Sequence, residues 1–189
     1  STIISAGKFL KIRKSDNQII GEVNGLEKPG MIQINSTGTK AYISRSSTAS
    51  SIYNTIYVIH LTTMSITKEI SLPMESMISP DGNFLYVSGM GVDKVIVVDA
   101  ISDSIFTEIN VSEMPMHIAV SSTGNRIYVS TMMHSATGSS VDVIEKSGTS
   151  WNRIAQITDH RFNMLHGCDI TKDDKYVYVS SRNIDGMYQ

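Results

Sequence analysis

Residues 79–88 read SPDGNFLYVS, and this stretch decides the fold because it joins a tight turn to a short strand. Pro-Asp-Gly is a turn signal, and the residues after it alternate as they do in a half-buried strand. Three other segments repeat the design: 35–44 (NSTGTKAYIS), 121–130 (SSTGNRIYVS) and 171–180 (TKDDKYVYVS). Their shared tyrosine recurs after 44, 42 and 50 residues, a period typical of four-stranded propeller blades.

The repeat predicts an all-β chain with about four blades' worth of sequence. Complete antiparallel blades of four strands are expected at 31–72, 74–111 and 116–158, with the second half of a blade at 1–24 and the first half at 165–189. No segment has apolar residues at three- and four-residue spacing with capping signals, so no helix is expected. We therefore predict a single β-propeller domain or a fragment of one.

The two half-blades complement each other. Joined, the last two strands and the first two strands of the chain make one complete blade, which is how propellers hide their strand edges. A closed four-bladed ring is one arrangement that satisfies this arithmetic. The other is a larger ring, in which self-association or pairing with further blades covers the edges.

The repeats resemble the YVTN family of seven-bladed propellers. LYVS, IYVS, VYVS and the weaker AYIS match the second strand of that family, and VIVVDA and IYVIH resemble its third strand. The resemblance implies that the chain is part of a seven-bladed ring, with a closed four-bladed ring as the alternative. The family includes lactonase-like enzymes, surface proteins, binding proteins and redox-enzyme domains, so it does not imply one function. It favours an extracytoplasmic location, either periplasmic or at the cell surface.

Composition narrows the range of binding partners to expect. A net charge of −2 gives no electrostatic reason to expect nucleic acid, and no apolar run is long enough to span a bilayer. Cys168 is the only cysteine, so no intrachain disulfide can form, and we predict a buried structural thiol. The repeated tyrosines are predicted to pack between blades rather than stack on bases: Tyr42, Tyr86, Tyr128 and Tyr178.

Methionine and histidine concentrate in one set of loops. In a propeller, the interblade loops and the loops between strands two and three lie on one face, here called the loop face; the other turns form the turn face. Ten of the eleven methionines fall on the loop face. Methionine repacks around varied ligands, so this face is predicted to bind a protein or a small molecule. Its candidate residues are Met74, Glu75, Met90, Met114, Met116, His117, Met132, Met133, His134, Met164 and His166.

Three histidines of the loop face form a candidate metal site. Thioether and imidazole ligands together suit copper, especially Cu(I), and the candidate ligands are His117, His134 and His166. No HxH or CxxC spacing accompanies them, so adaptable packing around the channel mouth is the alternative interpretation. His166-Gly167 also resembles the His-Gly of propeller domains in nitrous oxide reductase and haem-containing nitrite reductase. That resemblance implies a copper or haem cofactor. The alternative is a channel-lining histidine that binds no ligand.

A third function is hydrolysis. Residues 79–99 resemble the corresponding segment of propeller lactonases, but those enzymes commonly place a histidine where this chain has Ser76-Met77. Glu75 is the remaining acid–base candidate nearby, with a solvated loop carboxylate as the alternative. The sequence therefore predicts a binding or scaffold module first, a redox or copper/haem domain second, and a lactonase-type hydrolase third.

Overall fold

A computed structural model describes residues 7–45, 55–72, 78–80, 82–132 and 138–182. Within these ranges the chain forms sixteen strands and no helix. The strands are β1 (Gly7–Arg13), β2 (Gln18–Leu26), β3 (Pro29–Ile34), β4 (Lys40–Arg45), β5 (Thr55–His60), β6 (Ser65–Ser71), β7 (Ile78–Pro80), β8 (Phe84–Gly89), β9 (Lys94–Asp99), β10 (Ser104–Asn110), β11 (Pro115–Val120), β12 (Arg126–Thr131), β13 (Ser140–Ser147), β14 (Ser150–Thr158), β15 (Leu165–Ile170) and β16 (Val177–Ser181).

The strands form three sheets of four and two sheets of two. β3–β6, β7–β10 and β11–β14 each form an antiparallel four-stranded sheet in chain order, while β1 pairs with β2 and β15 with β16. The first strands of successive sheets lie side by side, β3 against β7, β7 against β11 and β11 against β15. The predicted all-β chain of four-stranded antiparallel blades is confirmed. Among the described strands β1 and β16 remain in separate sheets, so the structure shows no closed ring.

Second and third strands are the buried strands of the complete sheets. The central four residues of TIYVIH in β5 and of KVIVVD in β9 are all buried. A strand covered on both faces reads as a continuous apolar run instead of alternating, which these segments do. In the part of the chain described, no helix has the length and apolar character needed to cross a membrane.

Packing between adjacent sheets forms the core. One cluster joins the first two complete sheets and includes Tyr42 and Leu85, and another joins the second and third and includes Tyr86 and Ile127. A third cluster fixes the β1–β2 pair to the first complete sheet and includes Phe9. Each cluster lies between two sheets, so every blade depends on its neighbour for burial of its apolar faces.

Hydrogen bonds between the loops of neighbouring sheets occur on both the turn face and the loop face. On the turn face, Ser122 in the β11–β12 turn donates its hydroxyl to Asp174 in the β15–β16 turn at 2.6 Å. On the loop face, the Leu165 N–H after the β14–β15 connection donates to the Ser139 hydroxyl, which precedes β13, at 3.3 Å. The second contact brings the end of the β12–β13 connection next to the end of the β14–β15 connection.

The repeated tyrosines divide into buried and exposed members. Tyr42 and Tyr86 are fully buried between sheets, as predicted. The Tyr42 hydroxyl donates to Asp103 at 2.9 Å, and Asp103 lies in the β9–β10 turn of the next blade. The prediction is wrong for Tyr178, which is 65% exposed, because β15–β16 has no third strand beside it within the described residues.

We expect the free energy of unfolding of Tyr42→Phe to fall less steeply with rising pH, above pH 10, than that of the unmodified protein. Burial, and then the bond to Asp103, raises the pKa of Tyr42 above the ordinary value of 10.0. Above pH 10.0 the unfolded chain releases this proton while the folded chain keeps it, so stability falls as pH rises. One such group contributes at most about 1.4 kcal/mol per pH unit. Urea unfolding at pH 8 and above pH 10, followed by Trp151 fluorescence, measures the difference.

Tyr178→Phe is the matched control, because it removes the same hydroxyl from a ring that is exposed. Equal slopes for the unmodified protein and Tyr42→Phe above pH 10 would contradict the role given to Tyr42.

Candidate functional site

The first strands of three blades begin with a β-bulge opposite a serine. In the third blade, Met116 and His117 lie together opposite Ser130, which ends the IYVS segment. The same register shift leaves His166 and Gly167 opposite a single serine of β16. A bulge removes residues from the strand ladder and re-aims their side chains. Two of the predicted histidines of the loop face, His117 and His166, therefore lie at bulges.

The serine hydroxyl replaces the ladder bonds that the bulge removes. Ser130 Oγ accepts from the His117 N–H at 3.2 Å and donates to the His166 carbonyl, in the next blade, at 2.8 Å. Ser88 donates in the same way to the Met116 carbonyl at 2.8 Å. The acceptor bond recurs in two other blades, from Met31 N to Ser44 Oγ at 3.0 Å and from Gly167 N to Ser180 Oγ at 2.9 Å. Three of these serines therefore each hold a two-residue bulge in the first strand of their own sheet: Ser44, Ser130 and Ser180.

Sequence reasoning missed this role, although serine ends all four copies of the repeat. The local pattern shows the serine only as the end of a strand, whereas its role depends on a first-strand residue thirteen positions earlier. We call Met116, His117 and His166, whose backbones these serines hold, the histidine rim.

The His117 ring is oriented by the neighbouring blade. Its Nδ1 lies 2.9 Å from the carbonyl oxygen of Cys168 in β15. A carbonyl only accepts hydrogen bonds, so Nδ1 carries the proton and Nε2 of the neutral ring carries the lone pair. This is the arrangement in which an imidazole acts as a ligand or acceptor through Nε2.

Cys168 is a buried structural thiol, as predicted. It is 4% exposed, and burial, followed by the charge of Asp169, raises the pKa of the thiol to about 12. The thiolate that a nucleophile needs is therefore scarce at neutral pH. The contribution of Cys168 to the site is its carbonyl oxygen, which orients His117.

His166 lies on the first strand next to that of His117 and is partly buried. Burial lowers the pKa of its ring below the ordinary value of 6.5, and the charges of Arg182 and His117 lower it further. His166 is therefore mainly neutral at pH 7. The two histidines lie on adjacent first strands, and the His117 ring contacts the strand that carries His166.

We expect Arg182→Gln to raise the pKa of His166, because it removes a positive charge that disfavours the imidazolium. NMR titration of the ring resonances measures the change, and His160, whose side chain is 89% exposed, provides the internal reference. A His166 titration curve that does not move in the variant would contradict the proposed proximity of Arg182.

Methionines adjoin the rim on the loop face. Met114 and Met164 directly precede β11 and β15, and both have left-handed backbone, with φ of 55° and 48°. Their carbonyls accept from Met132 N at 2.9 Å and Arg182 N at 3.4 Å, which closes each loop onto the next connection. Met90 follows β8 at the position that Met132 holds after β12, one blade earlier. A non-glycine residue in this conformation is strained, and its recurrence marks a fixed loop geometry.

Four predicted site residues lie outside the described residues: Met74, Glu75, Met133 and His134. The three-histidine metal site and the lactonase acid–base residue therefore remain predictions. Within the described ranges, no group of three or more His, Cys, Asp or Glu side chains is placed to hold a metal ion.

A buried carboxylate anchors the loop that leads into the rim. Asp142 of β13 is fully buried and accepts from both the N–H and the hydroxyl of Ser112, in the β10–β11 loop. Arg153 Nη2 lies 3.2 Å from the same carboxylate. The sequence signal was one acidic residue inside an apolar third strand, where the corresponding positions hold Tyr57 and Ile96. This anchor fixes the approach of the chain to β11.

Comparisons with known proteins agree with the fold. No family model matches the chain, and no curated protein matches it in sequence. Among solved structures it is similar to Kuenenia stuttgartiensis hydrazine synthase, with a TM-score of 0.77 and 20% identity over 90% of this chain and 48% of that one. It is also similar to the dihydro-heme d1 dehydrogenase NirN in complex with DHE, with a TM-score of 0.72 and 11% identity over 92% of this chain and 38% of that one.

A functionally unknown protein from Desulfotomaculum acetoxidans DSM 771 is similar as well, with a TM-score of 0.73 and 12% identity over 92% of this chain and 55% of that one. Identities this low show the fold alone. The chain spans about half or less of each of these structures. Fold and site together define a chain of successive four-stranded antiparallel blades that presents histidine and methionine on one face.

Proposed function

We propose that the chain is part of a YVTN-type β-propeller that acts as a binding or scaffold module through its loop face, outside the cytoplasm. The observation that carries this proposal is the histidine rim. Its backbone is held by Ser88 and Ser130, and the His117 ring is oriented by the Cys168 carbonyl. Fixed polar groups beside adaptable thioethers are what a ligand site needs, because pre-organisation lowers the entropic cost of binding.

The ring itself is part of the proposal. Support comes from the four YVTN-like segments and from the first strands, which lie side by side as the inner strands of a propeller do. In such a ring the histidine rim lies at the mouth of the central channel. The number of seven blades, which the family resemblance implies, remains a prediction.

A photo-crosslinking side chain at position 116 tests the binding function. A matched variant carries the same group at Thr123, an exposed residue in the β11–β12 turn on the opposite face. After irradiation in extract of the source cells, we expect an adduct from position 116 that mass spectrometry identifies and that position 123 does not give. Identical adduct patterns from both positions would contradict a loop-face site.

A second candidate function is a redox or cofactor-binding domain. Nε2 of His117 carries a lone pair and His166 is neutral at pH 7, so both rings fit a Cu(I) or haem iron centre, with Met116 as a thioether donor beside them. Two of the similar structures carry titles that name hydrazine synthase and a dihydro-heme d1 dehydrogenase in complex with DHE. A bound metal or haem would supply the electron transfer, and this chain would hold and orient it.

Titration with haemin and, separately, with Cu(I) tests this second function. His166→Ala and His117→Ala should each weaken binding at least about tenfold, which corresponds to about 1.4 kcal/mol. His160→Ala is the matched control, since that side chain is 89% exposed. If neither probe binds, the cofactor function is wrong, while the partner-binding function is still tested by the crosslinking experiment.

A further inference from the structure

The hairpin of β13 and β14 extends further than its counterparts in the other complete blades. The β5–β6 and β9–β10 hairpins stop pairing with four residues left at the tip, 61–64 and 100–103. Beyond the equivalent point, β13 and β14 continue for two more residue pairs, the first of which joins Lys146 to Trp151. The other blades are complete without such an extension, so the repeat does not require it.

The Lys146–Trp151 pair lies against aromatic side chains of the preceding blade. The Trp151 ring packs edge-to-face on Phe84 of β8 and on Phe106 of β10, with ring centroids 4.8 Å and 5.5 Å apart. The Lys146 ammonium lies 4.5 Å from the centroid of Phe84 and 5.2 Å from that of Trp151. We call these four residues the aromatic patch: Phe84, Phe106, Lys146 and Trp151.

The junction of the first two complete blades shows that a propeller-like packing needs no aromatic patch. There Lys40 begins β4 as Phe84 begins β8. Lys40 pairs with Asp103 at the tip of the next hairpin at 2.7 Å, and the Tyr42 hydroxyl donates to the same carboxylate at 2.9 Å. Polar contacts thus join the blades at that junction, and aromatic rings replace them at the next one.

The patch presents apolar surface on the outer wall. Trp151 is 7% exposed, whereas Phe106 is 46% exposed on the fourth strand of its sheet. Phe106 is the bulged residue of β10, because the pairing with β9 passes from Ile105 to Thr107. A bulge re-aims a side chain. A half-exposed ring that rests on a buried tryptophan is typical of the anchors of protein interfaces, where aromatic residues are enriched.

The charge at the patch is positive. Nearby carboxylates are already engaged, since Glu145 pairs with Arg126 at 2.6 Å and Asp99 accepts from the Ser102 N–H at 2.7 Å. Within the described ranges, the Lys146 ammonium contacts aromatic rings and no carboxylate. The complement of this surface is therefore an apolar group next to an anion.

We propose that the aromatic patch docks a segment of a partner protein in which an aromatic or aliphatic side chain stands next to an aspartate or glutamate. The apolar side chain packs on Phe106, and the carboxylate pairs with Lys146. Apolar contacts around an ion pair exclude water and so strengthen it. A protein segment is the occupant because the patch lies on an outer strand, which a partner reaches without entering the channel. The proposal goes beyond the binding function of the loop face and does not depend on it.

Selection from a random peptide library without tryptophan, displayed on phage, identifies the segment. The 189-residue chain and its Lys146→Glu variant are used as baits in parallel. We expect the unmodified chain alone to enrich peptides with an apolar side chain next to Asp or Glu. Circular dichroism checks that the variant keeps its β-sheet, and Lys146→Gln, which removes only the charge, is a second variant.

Titration of an enriched synthetic peptide locates its site. The emission of Trp151, the only tryptophan, is the readout because its ring belongs to the patch. Lys146→Glu and Phe106→Ala should each weaken binding at least about tenfold. Lys172→Glu makes the same charge change at an exposed lysine of the turn face, and Ile105→Ala truncates a neighbour that is 43% exposed. Both controls should bind as the unmodified chain does.

Three results would overturn the proposal. The first is a selection in which the unmodified chain enriches no peptides beyond those of Lys146→Glu. The second is equal binding by the patch variants and their controls. The third is N-acetylphenylalanine binding as tightly as the peptide, which would make the patch a small-molecule site.

Discussion

Asp142→Ala is expected to lower the free energy of unfolding by about 1–3 kcal/mol, because it removes the buried acceptor of the Ser112 N–H and hydroxyl. The carboxylate is fully buried on β13 and accepts from the N–H and hydroxyl of Ser112. Arg153 is its charged partner. After the substitution, the Ser112 N–H loses its acceptor, while Arg153 keeps its hydrogen bond to the Ser112 hydroxyl.

Urea unfolding followed by the fluorescence of Trp151, the only tryptophan, measures this loss. Trp151 lies in β14 of the same sheet as Asp142 and is buried, so its emission reports on that sheet. Asp142→Asn is a second variant that keeps one carbonyl acceptor, and we expect a smaller loss.

Asp16→Ala provides the matched control. Asp16 also pairs with an arginine, Arg13 at 2.6 Å, but both side chains are well exposed. Exposed ion pairs add little to stability, so unfolding should be almost unchanged. Similar effects of Asp142→Ala and Asp16→Ala would contradict the view that burial makes the Asp142 contacts important.

Local pattern was enough to predict the strands. The turn at residues 79–88 and the alternation after it depend on neighbours within ten residues, and all four copies became second strands paired with first strands. Asp142 could not be explained in the same way. An acidic residue in an apolar strand conflicts with the pattern, and the contact that satisfies it comes from Ser112, thirty residues earlier.

The positions of His117 and His166 show a similar limit of prediction from sequence. Aligned on their turns, His117 and His166 differ by one residue, so the sequence does not suggest that they hold equivalent positions. In the structure both belong to the same two-residue bulge, His166 as its first member and His117 as its second. A bulge has no periodic signature, so their common position could not be predicted from the sequence.

Ser130→Ala is the prediction that links the repeat to the site. Ser130 is fully buried, accepts from the His117 N–H and donates to the His166 carbonyl. Alanine removes both bonds and leaves buried backbone groups unpaired, so the free energy of unfolding should fall by about 1–3 kcal/mol. NMR signals of His117 and His166 should shift together, because one hydroxyl positions both backbones.

Ser180→Ala is the matched control, since Ser180 ends the same motif and accepts from Gly167 N but is exposed. Water can replace its hydroxyl, so the loss of stability should be much smaller than in Ser130→Ala. Equal losses at the two positions would mean that the serine acts only within its own sheet. A large loss at Ser130 alone, with both histidine signals displaced, would show that the repeated serine couples neighbouring blades and thereby sets the geometry of the histidine rim.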